Sequence, residues 1–235
     1  MRVAVVIPTY NEAENLPRMV DALFDLGIDG LGLIVIDDNS PDGTGRIADE
    51  LAAANPGLIR VFHRAGKQGV GSAYRLGFAE AVKDGAECVI QMDADFSHPL
   101  STLPVFLDKI KDYDVVVGSR FTAGGKLDPR WGKRRRVLSH GGNWYARLIT
   151  GLQVRDTTAG FKCWSRHAIE TLDLSQVRSE GFAFQVEMAY ACKRKGLRVL
   201  EVPITFLERT HGQSKMSARI IIEAAWRVLE IKRRY

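Results

Sequence analysis

The first 119 residues alternate between two patterns, and that alternation restricts the fold more than any other feature of the chain. Residues 3–8, 32–37, 58–63, 88–93 and 115–119 are short, mostly apolar runs. Between them, residues 13–26, 44–54, 71–83 and 103–111 carry apolar side chains at helical spacing. A strand without a polar face is covered on both faces, and strands alternating with helices build a parallel sheet between helical layers. The expected class is therefore α/β, with a mostly parallel central sheet covered by helices. The chain has 235 residues, 46% of them hydrophobic, enough for one substantial core. No shift in composition demands a domain boundary.

The second half is less regular. Residues 121–136 read as a loop rich in glycine and basic residues, 137–150 and 185–195 as helices, and 199–202 as a strand stopped by Pro203. Residues 218–232 read as a final helix, apolar on one side and basic at its end. No stretch approaches the ~20 apolar residues that span a bilayer. The apolar N-terminal run is ended by Pro8, Asn11 and Glu12, too early for a secretory leader. Cys88, Cys163 and Cys192 are few, odd in number and far apart, which argues against a disulfide framework or a structural zinc site and fits a reducing cytosol. The formal net charge is +5, with basic runs at residues 133–136 and 232–234. Such runs meet phosphates, anionic lipid or nucleic acid, or are simply solvated.

Ligands of open α/β sheets bind beyond the carboxyl ends of the strands. Polar clusters follow four of the expected strands: Pro8-Thr9-Tyr10-Asn11-Glu12, the segment from Asp37-Asp38 to Gly43, Asp93-Ala94-Asp95, and Ser119-Arg120. Two carboxylates at the tip of a buried strand repel one another unless a cation joins them. Mg²⁺ takes hard oxygen ligands, often one or two carboxylates plus substrate phosphates. Asp95, with Asp93, therefore reads as a metal site clamping a diphosphate; the alternative is a helix cap from Asp95 or Ser97 ahead of Pro99. Asp37 emerges first from its strand and suits a base or ribose, although Asp37-Asp38 also reads as a turn. Glu12 equally suits a helix cap, and Tyr10 equally suits a packing role. Arg120 needs an anionic partner, either Asp93 or a substrate phosphate. Arg209 and Lys215 bracket a glycine-containing loop and suit a diphosphate. Gly69-Val70-Gly71 lacks the third glycine of a dinucleotide fingerprint, and neither a GxxxxGK[ST] loop nor a GxSxG elbow is present.

The opening segment Val5-Val6-Ile7-Pro8-Thr9-Tyr10-Asn11-Glu12, with Asp37-Asp38 and Asp93-Ala94-Asp95, resembles the nucleotide-binding half of inverting family-two glycosyltransferases of the GT-A fold. Asp37-Asp38-Asn39-Ser40-Pro41-Asp42-Gly43-Thr44, Met92-Asp93-Ala94-Asp95-Phe96-Ser97-His98, Gly118-Ser119-Arg120-Phe121 and the segment from Glu208 to Met216 resemble polyprenyl-phosphate (dolichyl-phosphate) mannose synthases over nearly the whole chain. The resemblance implies one GT-A catalytic domain over residues 1–235. Within it, residues 1–120 form a Rossmann-like nucleotide-sugar half, 121–217 an acceptor half and 218–235 an amphipathic helix. It implies that Pro8, Tyr10, Glu12, Val35 and Asp37 hold the nucleoside. Asp93, Ala94 and Asp95 hold the donor phosphates and a Mg²⁺ or Mn²⁺ ion, with Asp93 and Asp95 as its ligands. Arg209 and Lys215 bind the diphosphate; Arg120, Arg135 and Ser139 bind the acceptor phosphate. Ser97 stands where some relatives carry a further metal-ligating glutamine.

The implied reaction is inverting transfer of mannose from GDP-mannose to a polyprenyl (dolichyl) phosphate, with Asp95 and Arg120 at its centre. UDP-glucose is the alternative donor. A phosphate nucleophile is already ionised near neutral pH, so no general base is required; Asp156 stands as the vestige of one. The setting implied is cytoplasmic and peripheral on the cytoplasmic face of a membrane, through the C-terminal helix or a membrane-anchoring partner protein. A nucleotidyltransferase typically opens with a glycine-rich loop where Pro-Thr-Tyr-Asn-Glu stands here. A nucleic-acid binder leaves the carboxylates unexplained, so no nucleic-acid partner is expected.

Overall fold

The structure is a computed structural model and describes residues 1–208 and 218–235; within the last helix, side chains are described from residue 225 onward. The strands are β1 (Val3–Thr9), β2 (Leu31–Asp37), β3 (Ile59–His63), β4 (Cys88–Gln91), β5 (Val115–Ser119), β6 (Lys126–Leu127), β7 (Lys162–Ser165), β8 (Val199–Pro203) and β9 (Thr205–Phe206). The helices are α1 (Leu16–Phe24), α2 (Thr44–Ala54), α3 (Val70–Lys83), α4 (Leu103–Lys109), α5 (Lys133–Thr150), α6 (Arg166–Thr171), α7 (Gly181–Arg194) and α8 (Ala218–Arg234).

Seven strands form one sheet in the order β3-β2-β1-β4-β7-β5-β8, and β6 pairs with β9 apart from it. Every pairing in the large sheet is parallel except those of β7, which runs antiparallel between β4 and β5. The alternation of β1 shows why both faces are covered. Val3, Val5 and Ile7 point into a core with Leu16, Met19 and Leu23 of α1. Ala4 and Val6 point into a second core with Tyr74 and Phe78 of α3 and Phe184 and Met188 of α7. Helix α3 lies so close to the sheet that a Cβ on Gly77 would stand 2.3 Å from Val6 Cγ1. A third, smaller core joins α5, α7 and α8 through Ala146, Val186, Tyr190, Val228 and Ile231. No helix among the described residues is long and apolar enough to cross a membrane.

Several boundaries differ from those expected. Strand β4 ends at Gln91, so Asp93 lies in the loop beyond it. Helix α1 starts at Leu16, with a proline in its first turn where the missing N–H costs nothing. Residues 133–136, read as loop, open α5, and α7 starts four residues early at Gly181. The short elements β6, β7, β9 and α6 were not anticipated.

Candidate active site

Because β1, β2, β3, β4, β5 and β8 are mutually parallel, their carboxyl ends share one rim, and β7 starts from that same rim. Three non-glycine residues among the described ones have left-handed backbones: Asn11 (φ 62°), Asn39 (φ 56°) and Phe96 (φ 58°). They sit just beyond β1, β2 and β4 respectively. For a bulky residue such as Phe96 this conformation costs about 1–3 kcal/mol and clusters at functional sites.

On one side of the rim, the loops after β1 and β2 are laced together. Asp37 is 2% exposed; it accepts from Thr9 Oγ1 at 3.0 Å, Ser40 Oγ at 2.6 Å and Ser40 N at 3.1 Å. Its carboxylate thus organises its own turn as well as facing the rim. The Glu12 N–H donates to Thr44 Oγ1 (2.9 Å), and Glu12 Oε2 accepts from Asn15 Nδ2 (2.8 Å) at the start of α1. Asp38 forms a buried ion pair with Arg64, which follows β3. Pro8 is half-buried on β1, and the half-buried Tyr10 carries the Lys67 ammonium 4.3 Å from its ring centroid. Val35 is 1% exposed and packs in the core, so the contact expected of it with a nucleoside would run through its backbone.

At the centre of the rim stands the acidic tip beyond β4. Asp95 is 5% exposed and Ala94 2%. Asp95 Oδ1 accepts from Ser97 N at 3.0 Å, a local turn rather than a helix cap. The Tyr74 hydroxyl lies 3.0 Å from the Met92 carbonyl and 3.2 Å from Asp93 Oδ1. Burial, then the charge and hydrogen bond of Asp93 and the charge of Asp95, push the Tyr74 phenol well above its ordinary range, so it stays protonated and can donate to Asp93. The Asp93 N–H donates to His98 Nδ1 (3.3 Å), and the His98 ring stacks on Phe161 with centroids 4.9 Å apart. The Ser97 hydroxyl is buried with no hydrogen-bond partner among the described residues. No three His, Cys, Asp or Glu side chains converge there among the described residues. The donor set is thus two hard carboxylates with a hydroxyl nearby, which fits a Mg²⁺-type ion completed by water and substrate phosphates.

On the other side lies Arg120, beyond β5. It pairs not with Asp93 but with Asp156, which has no exposed surface: Nε donates to Oδ2 at 2.7 Å, NH2 to Oδ1 at 2.6 Å and the backbone N–H to Oδ2 at 2.9 Å. Asp156 is therefore a counter-ion locked to arginine, which closes a base role to it. Arg120 NH2 also reaches Thr158 Oγ1 (2.8 Å), and Asn143 of α5 bonds to Thr157 and Thr158, fastening α5 to this loop. Arg120, Phe121, Lys126, Arg136 and His140 line an open cleft of about 430 Å³. Arg135 stacks over Trp131 at 3.6 Å and pairs with Glu208 at 2.7 Å. Ser139 is half-buried on the same helix, α5. Arg209 and Lys215 lie outside the described residues. The segment leading to them is tied to the acidic tip, because the Leu207 N–H donates to the Ser97 carbonyl (3.1 Å).

Sequence reasoning missed Tyr74, His98, Arg64 and Asn143. Only His98 carried a signal, as a polar residue in the loop after Asp95; the others are brought in from helices and loops distant in sequence. It also missed Lys162, 2% exposed at the first position of β7. Lys162 Nζ donates to Gln185 Oε1 (2.8 Å), which also accepts from Gln91 Nε2 (3.0 Å).

Comparison with known proteins agrees with this arrangement. The family model described as Glycosyl transferase family 2 matches residues 4–173. A polyprenol monophosphomannose synthase of Mycolicibacterium smegmatis is 43% identical over 230 residues, covering 97% of this chain and 86% of that protein. An undecaprenyl-phosphate mannosyltransferase of Micrococcus luteus is 42% identical over 224 residues, covering 95% and 91%. A crystal structure of glucosyl-3-phosphoglycerate synthase from Mycobacterium tuberculosis, in complex with Mn²⁺, UDP-glucose and phosphoglyceric acid, shares the fold with a TM-score of 0.66 at 19% identity, covering 98% of this chain and 78% of that one.

Proposed function

The chain belongs to glycosyl transferase family 2, and from that membership we propose that it transfers mannose from GDP-mannose, with inversion, to a polyprenyl phosphate. The two mannosyltransferase relatives match nearly the whole chain, which supports both the sugar and the lipid acceptor. The observation that carries the reading is the order along the rim: the Asp93–Asp95 tip lies between a polar side at β1 and β2 and a basic cleft at β5 and α5. Residues 1–120 form the donor half, 121–217 the acceptor half, and 218–235 an amphipathic C-terminal helix.

Tyr10, Glu12, Asp37 and the backbone around Pro8 hold the nucleoside. Asp93 and Asp95 hold a Mg²⁺ or Mn²⁺ ion, which when bound supplies positive charge to the departing diphosphate; the Mn²⁺ in the M. tuberculosis complex supports the ion class. Tyr74 and His98 keep the acidic tip in place. Arg209 and Lys215 meet the diphosphate. Arg120, Arg135 and Ser139 draw in the acceptor phosphate, whose oxygen attacks the anomeric carbon in line. That oxygen is ionised near neutral pH, so the chain supplies orientation and charge, not a base. Arg120 is stiffened for this by Asp156, and Arg135 must leave Glu208.

The acceptor's tail stays in the bilayer, so the protein works peripherally at a membrane, on its cytoplasmic face. The outer side of α5 suits that surface: Val137 is 72% exposed, Trp144 65% and Leu148 63%. The deciding experiment offers radiolabelled GDP-mannose and UDP-glucose separately, with polyprenyl phosphate, in Mg²⁺ and in EDTA. Metal-dependent labelling of lipid from GDP-mannose alone is expected. Labelling from UDP-glucose corrects the donor, and labelling in EDTA removes the metal.

A further inference from the structure

The rim has a direction. Its strand tips run β3, β2, β1, β4, and at about 4.8 Å per strand the β3 tip stands roughly 14 Å from the acidic tip. A nucleoside diphosphate with its phosphates at Asp93 and Asp95 and its ribose toward β1 and β2 therefore brings its base to the β2–β3 end. Two cations of the loop after β3 are found there. Arg64 is committed: its side chain is 7% exposed and donates to Asp38, to Ser72 Oγ (2.5 Å) and to the Gly69 carbonyl (2.9 Å). Lys67 is exposed, and its contact among the described residues is the face of Tyr10, with Nζ 4.3 Å from the ring centroid. Lys67 thus reaches over the tip of β2 to the residue of β1's loop that faces the nucleoside.

We propose that Lys67 reads the donor's base, its ammonium donating to the base's acceptor edge while the Tyr10 ring steadies the charge. The inference rests on the donor reading above. On guanine the acceptors are O6 and N7, a pair that lysine and arginine recognise; on uracil the equivalent is O4. Adenine and cytosine carry an amino group in that position. Its hydrogens face the ammonium, so cytosine loses the contact, adenine keeps only N7, and both are disfavoured.

The test is calorimetric titration of the full chain in Mg²⁺ with GDP, ADP, UDP and CDP, for the wild type, Lys67→Met and Lys67→Arg. Wild type is expected to prefer GDP to ADP. Lys67→Met should weaken GDP about tenfold or more and ADP little, so that the preference collapses, and Lys67→Arg should restore part of it. The same fold-loss for GDP and ADP would mean that Lys67 meets the phosphates, and unchanged affinities would make it a surface lysine; either overturns the proposal. If wild type binds UDP in place of GDP, the GDP-mannose reading fails alone, and the UDP-to-CDP ratio decides Lys67 by the same logic. Binding of none of the four overturns both.

Discussion

Asp156 is buried without exposed surface, yet its carboxylate takes three hydrogen bonds from one arginine. Removing one member of a buried ion pair leaves the other uncompensated. Asp156→Asn should destabilise the fold by about 3–5 kcal/mol, read as a lowered urea midpoint, and should loosen Arg120 in the acceptor site. Lys162 is the converse case, a cation whose hydrogen-bond partner among the described residues is the Gln185 amide. Burial holds its ammonium down to about 8, against an ordinary 10.5. Below pH 8 both the folded and the unfolded chain carry the proton, and the cost of burying the charge is fully present. Between pH 8 and 10.5 the unfolded chain binds more protons than the folded one, so stability rises with pH. Lys162→Met should therefore stabilise the protein at pH 7 by up to roughly 3 kcal/mol, with the gain shrinking as pH approaches 10.5. Denaturation of both proteins from pH 7 to 10 measures it; a gain independent of pH would mean that the charge is not the cause. The sequence shows that Arg120 needs an anion but cannot say which, because Asp156 lies 36 residues away and only the fold brings it near.

At the scale of single elements, the long regular ones are legible and the short ones are not. Strands β1, β2, β4 and β5 are nearly continuous apolar runs, which the pattern reveals, and β3 is one interrupted only by Arg60. Strand β7 has four residues, Lys162 to Ser165, and begins with a lysine, so nothing in its local pattern marks a central strand. The start of α5 is hidden for a related reason: Lys133-Arg134-Arg135-Arg136 is a basic run with no apolar residue to mark a helical phase. Helix α8, read as a membrane element, also buries Val228 and Ile231 against α5 and α7. Deleting it would open that core, so deletion cannot isolate a membrane role. The sharper variant lies on α5, where Val137, Trp144 and Leu148 lie on an exposed face. Changing all three to serine should leave the thermal midpoint nearly unmoved and weaken binding to vesicles containing anionic lipid at least about tenfold. Unchanged co-sedimentation would place the membrane contact elsewhere.

For the molecule as a whole, the core and the proposed metal site are separable. The sheet closes on both faces with its own side chains, and the acidic tip lies beyond the end of β4 rather than within it. EDTA should accordingly abolish transfer while leaving the far-ultraviolet circular dichroism and the urea midpoint close to their values in Mg²⁺. Asp95→Asn should lower turnover on the order of 100-fold with the fold retained; full activity in that variant would exclude the acidic tip as the metal site. The position of β7 bears on how the chain comes off the ribosome. Residues 1–119 contain five of the seven strands of the sheet, but β4 and β5 are not neighbours and are joined only when β7 pairs with both. While residues 92–161 are emerging, the free side of β4 is an unpaired, apolar edge able to capture a neighbouring nascent chain. A pause in translation inside that window should raise aggregation more than a pause after residue 165, when the seam can close.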